Sequence, residues 1–266
     1  MSGDDYLLAD QPSERTRLEL QSRVWEPAGR DLLAQIPAPA AARAVDLGCG
    51  CLGWLRLLSE WAGRDGSVVG TDIDQGLLQM AGDFRDDVGL TNVQLVRDDL
   101  FASRLPEASF DLVHARFQIA PLGRPEEVLD SMLRLVRPGG VLVLEDPDSA
   151  TWDFEPIAPA TQRLVTSVID AFERLGGCFD AGLNHPALLA RRALQAEVRR
   201  VVIDLAPENP YLHLPLQFAR ALRTPLIEAM GADELDALLA DAGAELERPD
   251  LRGRTFTLVQ TVARVP

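Results

Sequence analysis

Short apolar runs alternate with segments of helical periodicity between residues 43 and 148, and this alternation constrains the fold more than any other feature of the chain. Strands are predicted at residues 43–47, 67–71, 92–97, 110–115 and 141–145. Helices are predicted between them, at residues 54–63, 75–88 and 126–136. Strands that alternate with helices form βαβ units with right-handed crossovers, so the pattern predicts a parallel sheet covered by helices. Ligands of such a sheet bind at the carboxyl ends of its strands.

Less regular patterns flank this region. An amphipathic helix is predicted over residues 14–33, and two prolines within residues 36–42 end it. Further helices are predicted at residues 158–175, 186–196, 214–230 and 232–242, and further strands at residues 198–205 and 255–265. No repeat or linker divides the chain, which predicts a single domain. Its parts are an N-terminal helical segment (1–40), a ligand-binding core (41–148), a cap-like insertion (149–196) and C-terminal strands and helices (197–266).

The charge of the chain argues against nucleic acid as a partner. The net charge is −15, all 26 basic residues are arginine, and no arginine-rich run is interleaved with aromatic residues. Binding to phosphates requires a basic face, and an acidic surface repels both nucleic acid and anionic membranes. No apolar run approaches the ~20 residues of a membrane span, and the acidic first residues do not resemble a secretory signal. These features predict a cytoplasmic protein that acts on a small molecule.

Metal ligands are sparse. The three cysteines, Cys49, Cys51 and Cys178, are too few for a disulfide scaffold. No second pair of cysteines or histidines completes a four-ligand site beside Cys49 and Cys51. The acids within residues 145–148 would fit a metal-assisted catechol-type site, but no matching partner is evident at the fourth strand. The sequence therefore predicts no bound metal.

A glycine-rich turn follows the first predicted strand. Gly48, Gly50 and Gly53 permit positive φ angles and a close approach of the backbone to a ligand. The same spacing fits a dinucleotide-binding loop, which on its own is a weak signal. Asp46 changes the balance, because a carboxylate at this position repels a pyrophosphate and favours a cationic ligand that carries an ammonium and a sulfonium group.

Five motifs occur in order along the predicted strands: VDLGCG at residues 45–50, VGTDID at 69–74, VRDDL at 96–100, FDLVHARF at 110–117 and LVRPGG at 135–140. In this set the chain resembles the class I S-adenosylmethionine-dependent methyltransferases of the small-molecule type. The resemblance covers residues 14–148 closely. It implies a Rossmann-like methyltransferase fold, a mostly parallel seven-stranded sheet flanked by helices, with a helical insertion after strand 5. One departure is Leu52, since many members have glycine there.

The resemblance assigns S-adenosylmethionine as the cofactor. Asp46 and the glycine turn should face its methionine part, although a carboxylate at this position also fits a hydrogen bond within the turn. Asp72 should accept both ribose hydroxyls, with Asp74 as the alternative, since two carboxylate oxygens suit two adjacent donors. Asp99, rather than Asp98, should accept from the adenine amino group. The positions carried over are Asp46, Gly48, Cys49, Gly50, Asp72, Ile73, Asp99, Leu100, Ala115 and Arg116.

Candidates for catalysis are fewer. Holding donor and acceptor in line supplies much of the rate of methyl transfer, and a base is needed only if the acceptor must lose a proton. His114 and His185 are the predicted bases, and a packed position beside the cofactor is the alternative for His114. The predicted contacts of the acceptor are Gln118, Asp146, Trp152 and Phe154.

Two segments should enclose the site. The insertion is predicted to roof the acceptor pocket, and its alternatives are a homodimer interface or a plain helical cover. Near the amino end, Tyr6, Arg17, Gln21 and Trp25 resemble an entry helix that closes over the cofactor, but a packed helix with a polar face explains them equally well.

The leading hypothesis is methyl transfer to O, N or C of a small metabolite, with release of S-adenosylhomocysteine. The first alternative is a protein of the same fold that binds S-adenosylmethionine for a different reaction. The second is an NAD-dependent oxidoreductase, which rests on the glycine spacing and against which Asp46 and the Pro138-Gly139-Gly140 element count.

Overall fold

The computed structural model describes residues 12–266, with side chains from Arg17 onward. The strands are β1 (Arg43–Leu47), β2 (Ser67–Asp72), β3 (Val93–Arg97), β4 (Phe110–Arg116), β5 (Val136–Asp148), β6 (Asp153–Glu155), β7 (Glu197–Val201), β8 (Asp204–Leu205), β9 (Arg252–Arg254) and β10 (Thr257–Arg264). The helices are α1 (Pro12–Leu33), α2 (Leu55–Ala62), α3 (Gln75–Asp87), α4 (Ile119–Leu122), α5 (Pro125–Leu135), α6 (Pro159–Arg174), α7 (His185–Ala190), α8 (Leu214–Ala221), α9 (Arg223–Met230) and α10 (Ala232–Leu246).

The main sheet has seven strands in the order β3-β2-β1-β4-β5-β10-β7. Strands β1 to β5 pair in parallel, and β10 runs antiparallel to both β5 and β7. The predicted fold class, a mostly parallel seven-stranded sheet flanked by helices, is confirmed. The strand order reverses direction between β1 and β4, so the crevice at their carboxyl ends is the expected ligand position of an open α/β sheet.

Local sequence explains the elements around this crevice. Strand β1 is covered on both faces, and its residues Ala44, Val45 and Leu47 are buried, which is typical of a central parallel strand. Helix α3 is capped by Asp74, whose Oδ1 accepts from the backbone N of Leu77 over 2.9 Å. Such an N-cap satisfies one of the donors that a helix start leaves open.

A second, three-stranded antiparallel sheet has the order β6-β9-β8 and is absent from the sequence prediction. The strand predicted at residues 198–205 is in fact two strands, since β7 joins the main sheet and β8 joins the small one. Runs of two or three residues are too short to show a period of two. Only the pairing of segments distant along the chain makes them strands.

Two predicted helices were too long. The helix predicted at residues 214–230 is divided into α8 and α9 at Leu222, because Pro225 has no N–H to donate to the carbonyl four residues before it. The helix predicted at residues 186–196 ends at Ala190, and Ala193 has a φ of 56°. Helix α6 of the insertion packs against α8 and α10, so the helical cover combines the insertion with the C-terminal part. Within residues 12–266, no helix is long and apolar enough to cross a membrane.

Candidate functional site

The turn between β1 and α2 is built from glycines in left-handed conformations. Gly48, Gly50 and Gly53 have φ angles of 65°, 58° and 43°. The backbone N of Cys49 donates to the carbonyl of Thr71 over 2.8 Å, which ties the turn to the end of β2. Among the described residues, the nearest atom to a methyl group placed on Gly50 would be Cδ1 of Leu18, 4.0 Å away. This face of the turn is therefore open enough to receive a ligand.

Asp46 lies beneath this turn and is 1% exposed. Its Oδ2 accepts from the backbone N of Trp54 over 2.8 Å, and its Oδ1 lies 2.7 Å from Nδ1 of His114. A methyl group on Gly53 would overlap Asp46 Oδ2, so only glycine fits there. Of the two roles considered for Asp46, the geometry of residues 12–266 favours the hydrogen bond within the turn. Direct contact with a ligand stays a prediction.

Asp72, at the end of β2, faces the same turn. Its Oδ2 accepts from the backbone N of Gly50 and its Oδ1 accepts from the backbone N of Asp74, both over 2.9 Å. Burial raises the pKa of the Asp72 carboxyl above its ordinary value of 3.8, and the two backbone amides oppose this shift. Asp74 caps α3 instead, which favours Asp72 over Asp74 for the ribose. Ile73 lies between them, and its carbonyl accepts from Arg97 over 3.0 Å.

The acids after β3 have different environments. Asp99 Oδ1 accepts from the backbone N of Phe101 over 2.9 Å and caps a short 3-10 turn that begins with Leu100. Asp98 Oδ1 accepts from the backbone N of Arg104 over 3.1 Å. The other oxygen of Asp98 is buried, and no described residue gives it a hydrogen bond. Such an oxygen is costly to leave without a partner, so Asp98, which the sequence reasoning discounted, is also a candidate ligand contact.

The end of β4 lies across the crevice from the glycine turn. Gln118 Nε2 donates to the carbonyl of Gly48 over 3.2 Å, and the Gln118 side chain fills the space that a methyl group on Gly48 would need. Ala115 is fully buried beside it, and the guanidinium of Arg116 lies 5.8 Å from the ring centroid of Phe117. The structure therefore brings Gln118, predicted as an acceptor contact, directly onto the predicted cofactor turn.

Both predicted bases are fully buried. His114 Nδ1 lies against Asp46, and its Nε2 lies 3.2 Å from Glu145 Oε2. His185 Nε2 lies 3.1 Å from Asp146 Oδ2, and its Nδ1 lies 3.0 Å from the hydroxyl of Thr261. Each imidazole thus has partners on both nitrogens, which favours a supporting role. A catalytic role for either histidine stays a prediction.

Asp146 is shared between the sheet and the insertion. Its Oδ1 accepts from the backbone N of Ala120 over 2.9 Å, while its Oδ2 meets His185. Burial raises the pKa of the Asp146 carboxyl above its ordinary value of 3.8, and the hydrogen bond and charge of His185 oppose this shift. These contacts join α4, β5 and α7. They do not test the predicted contact of Asp146 with an acceptor.

Aromatic rings from distant segments of the chain pack against one another. Trp152 stacks on Phe179 with ring centroids 5.5 Å apart, and Phe256 lies within 5.4 to 5.9 Å of the rings of Trp25, Phe117, Trp152 and Phe179. We define the aromatic cluster as Trp25, Phe117, Trp152, Phe179, Tyr211, Phe218 and Phe256. Phe154 lies apart on the small sheet, packed over Gly253.

Two arginines approach this cluster. Arg17 is 3% exposed, donates to Gln21 Oε1 over 2.7 Å, and has its guanidinium 5.2 Å from the ring centroid of Phe218. Burial raises the pKa of Tyr211 to about 12, while a hydrogen bond from Trp25 and the positive charges of Arg17 and Arg116 oppose the rise. Tyr6, predicted for the same entry helix, lies outside the described residues.

Sequence reasoning missed several members of this site. Phe218 and Phe256 lie in segments interpreted only as a helix and a strand, and Tyr211 lies between predicted elements. Gln260, whose amide donates to Glu145 over 2.6 Å, carried a signal, because it is the only amide side chain in a strand that consists mainly of apolar residues and threonine. Among the described residues, no group of three histidine, cysteine or acidic side chains could hold a metal ion.

Comparison with known proteins identifies the family. The model of the family described as "Methyltransferase domain" matches residues 44–140. The trans-aconitate 2-methyltransferase of Azoarcus sp. is 31% identical over 255 residues, which are 92% of this chain and 90% of that protein. The demethylmenaquinone methyltransferase of Oceanobacillus iheyensis is 30% identical over 122 residues, 46% of this chain. The chain spans about half of that protein, 51% of its length.

A solved structure agrees with the fold. A methyltransferase from Aquifex aeolicus, described as dependent on S-adenosylmethionine, aligns with a TM-score of 0.56 and 19% identity. The alignment covers 73% of this chain and 93% of that one. The family resemblance proposed from the five motifs is confirmed, and with it the cofactor of that family. The chain belongs to the class I S-adenosylmethionine-dependent methyltransferases.

Proposed function

We propose that this protein transfers the methyl group of S-adenosylmethionine to a carboxylate oxygen of a small organic acid. The cofactor would lie at the carboxyl ends of β1, β2 and β3, and the acid would lie against the aromatic cluster. The observation that carries the proposal is the placement of two guanidinium groups at the aromatic cluster: that of Arg17 lies 5.2 Å from the ring centroid of Phe218, and that of Arg116 lies 5.8 Å from the ring centroid of Phe117.

The residues at the crevice fit the cofactor. The open face of Gly50 leaves room for its methionine part, the Asp72 carboxylate suits two ribose hydroxyls, and Asp98 or Asp99 offers an acceptor for the adenine amino group. When bound, S-adenosylmethionine supplies an electrophilic methyl group on a sulfonium sulfur. The residues of this chain would hold the methyl group in line with the acceptor and would exclude water from the site.

The aromatic cluster fits the other substrate. Its flat rings offer an apolar wall, and the planar forks of Arg17 and Arg116 match the geometry of carboxylates. An apolar lining with a few placed charges is the usual composition of a small-molecule site. The insertion contributes Trp152 and Phe179 to this wall, in support of its predicted role as a roof.

A carboxylate acceptor also fits the state of the histidines. A carboxylic acid has an ordinary pKa of about 4, so it is ionised at neutral pH and has no proton to remove. The two buried histidines, His114 and His185, already use both ring nitrogens. Because no base is required, the positioning of charge becomes the main task of the site.

The relatives favour the same class of acceptor. The trans-aconitate 2-methyltransferases match most of this chain, with 82% of it covered in Rhizobium rhizogenes and 92% in Azoarcus sp.. The demethylmenaquinone methyltransferases match less than half of it, 46% in Oceanobacillus iheyensis. An enzyme's acceptor is recognised largely outside the shared cofactor core, so the longer match weighs more.

The test combines binding and turnover. S-adenosylhomocysteine should bind in calorimetry, and label from S-adenosylmethionine should pass to trans-aconitate as a base-labile methyl ester but not to demethylmenaquinol. Arg17→Gln and Arg116→Gln should each raise KM for trans-aconitate about tenfold or more, the cost of one charged hydrogen bond. Arg174→Gln, an exposed arginine on α6, is the matched control. Methyl transfer to the quinol alone would contradict the acceptor class.

The composition of the chain bears on its cellular compartment and on its partners. Only three cysteines in 266 residues and a net charge of −15 suit a reducing compartment and a soluble metabolite. We therefore propose a cytoplasmic enzyme whose partners are small molecules. The predicted homodimer stays a prediction.

A further inference from the structure

Four polar side chains form a row across the middle of the main sheet. Gln260 on β10 donates to Glu145 on β5 over 2.6 Å, Glu145 lies 3.2 Å from His114 on β4, and His114 lies 2.7 Å from Asp46 on β1. We call these residues the polar row. Each lies two positions from an apolar residue on the same face, and these apolar residues are Ala44, Leu112, Val143 and Val262. The polar row therefore lies next to an apolar row on the same face of the sheet and borders the core there.

The row is closed to solvent. Asp46 is 1% exposed and the other three residues are 0% exposed. The indole of Trp54 stacks on the His114 ring with centroids 3.8 Å apart and an interplanar angle of 14°. Two carboxylates side by side in such a place repel each other strongly. An imidazolium between them offsets this repulsion, because it donates one charged hydrogen bond to each.

The row ends on the glycine turn. Asp46 Oδ2 holds the backbone N of Trp54, the residue that follows Gly53, and it lies where a side chain at Gly53 would be. The backbone N of Gly50, in the middle of the same turn, donates to Asp72. The position of the Asp46 carboxylate thus determines the path of the turn between residues 48 and 54.

We propose that His114 is a positioning residue: its imidazolium, held between Glu145 and Asp46, keeps the Asp46 carboxylate on the Trp54 amide, so that the glycine turn has the shape that binds the cofactor. This inference rests on the proposed function, since it concerns the same site. It assigns His114 no contact with the cofactor or the acceptor.

The charges around the ring agree with this assignment. Burial by itself lowers the pKa of His114, but the charge and hydrogen bonds of Asp46 and Glu145 outweigh it and leave the pKa above the ordinary 6.5. Gln260 and Trp54 are neutral. Burial and the charges of Asp46 and Asp72 raise the pKa of the nearby Cys49 thiol, which therefore stays protonated. The charges of Asp46 and Glu145 favour the protonated imidazole, and His114 loses its proton as the pH rises through its raised pKa.

The experiment measures the affinity for S-adenosylhomocysteine by calorimetry, which does not require turnover. His114→Leu should weaken binding about 10- to 100-fold, the range for loss of a charged hydrogen bond. His114→Gln, whose amide can still donate to Asp46, should retain part of the affinity that His114→Leu loses. Leu235→Ala removes a fully buried side chain of α10 and should lower Tm while the affinity stays within twofold of wild type.

The pH profile separates positioning from simple packing. Wild-type affinity should fall as the pH rises through the pKa of His114, and this fall should be absent in His114→Gln. Glu145→Gln removes one carboxylate from the ring and should shift the fall to lower pH. Because the chain has three histidines, NMR of their ring protons can follow His114 directly.

Affinity of folded His114→Leu within twofold of wild type would overturn the proposal, and so would an unchanged pH profile in Glu145→Gln. If His114→Leu does not fold, the profiles of wild type and Glu145→Gln decide. Failure of the wild-type protein to bind S-adenosylhomocysteine at any pH would instead contradict the proposed function.

Discussion

The indole N–H of Trp25 donates to the hydroxyl of Tyr211 over 3.1 Å, a contact between residues 186 positions apart in the chain. Both side chains are buried, and their rings meet edge to face with centroids 6.3 Å apart. This bond fastens the amino-terminal helix α1 to the segment that precedes α8. It therefore joins two segments that are distant in the sequence, on one side of the aromatic cluster.

Removing the hydroxyl should loosen this junction. Tyr211→Phe leaves the Trp25 N–H buried without its acceptor, which costs about 1–3 kcal/mol of the free energy of unfolding. Urea denaturation followed by tryptophan fluorescence measures the loss. An unchanged midpoint would show that the hydrogen bond contributes nothing to the docking of α1.

The phenol of Tyr211 should also resist ionisation. Its pKa is raised to about 12, above the ordinary value of 10. The unfolded chain loses this proton first as the pH rises, so the phenol's contribution to stability is lost between about pH 10 and 12. In Tyr6→Phe, Tyr211 is the only remaining tyrosine, and its phenolate absorbance should appear only when the protein unfolds. Titration near pH 10 in the folded state would contradict its burial.

The glycine turn should tolerate no side chain at Gly53. A methyl group there meets Asp46 Oδ2 and the carbonyl of Cys49, whereas one at Gly89, with a similar positive φ, meets no described atom within 4 Å. Gly89→Ala should cost only the left-handed strain of about 1–2 kcal/mol. Gly53→Ala should cost more in thermal unfolding and should also weaken the binding of S-adenosylhomocysteine. Equal effects of the two substitutions would show that the Asp46 side chain moves at little cost to make room for a methyl group on residue 53.

Substitutions of Asp72 and Asp74 should have different effects, because Asp72 is proposed to bind the cofactor and Asp74 caps α3. Asp72→Ala should weaken the binding of S-adenosylhomocysteine by about 1–3 kcal/mol, the cost of unpaired hydroxyls. Asp74→Ala should instead lower stability by about 1 kcal/mol through loss of the α3 cap, with affinity near wild type. Calorimetry and thermal unfolding of both variants decide, and the reverse result would place the ribose on Asp74.

The insertion should affect the acceptor and not the cofactor. Trp152→Leu removes a ring from the aromatic cluster and should raise KM for the acid acceptor, with little change in affinity for S-adenosylhomocysteine. Phe154→Leu, on the small sheet, is the matched control for lost aromatic packing. If both variants change KM equally, the cluster has no special place in acceptor binding.

The sequence predicted those elements whose pattern arises between neighbouring residues, and it missed those that form only by pairing of distant segments. The strands β1 to β5 and the helices α2, α3 and α5 were predicted because periodicity is local, and α3 begins directly after its cap, Asp74. The small sheet was missed, because β6, β8 and β9 become strands only by pairing with one another.

The residues of the candidate site also fall into those that the sequence predicted and those that it did not. The glycine turn and Asp72 were predicted from the family motifs, which lie at strand ends, where open parallel sheets bind ligands. The partners of those residues were not, since His114 is 68 positions from Asp46 and Gln260 is 115 positions from Glu145.

The sequence by itself therefore determined the α/β fold and the family, and it predicted the edge of the sheet at which the cofactor should bind. Only the tertiary structure decided that Asp46 supports the turn from beneath, that Trp152 packs on Phe179, and that Arg17 approaches Phe218. The physical reason is that alternation and turn chemistry act between neighbours along the chain. Strand order and helix docking decide which distant side chains share one buried place.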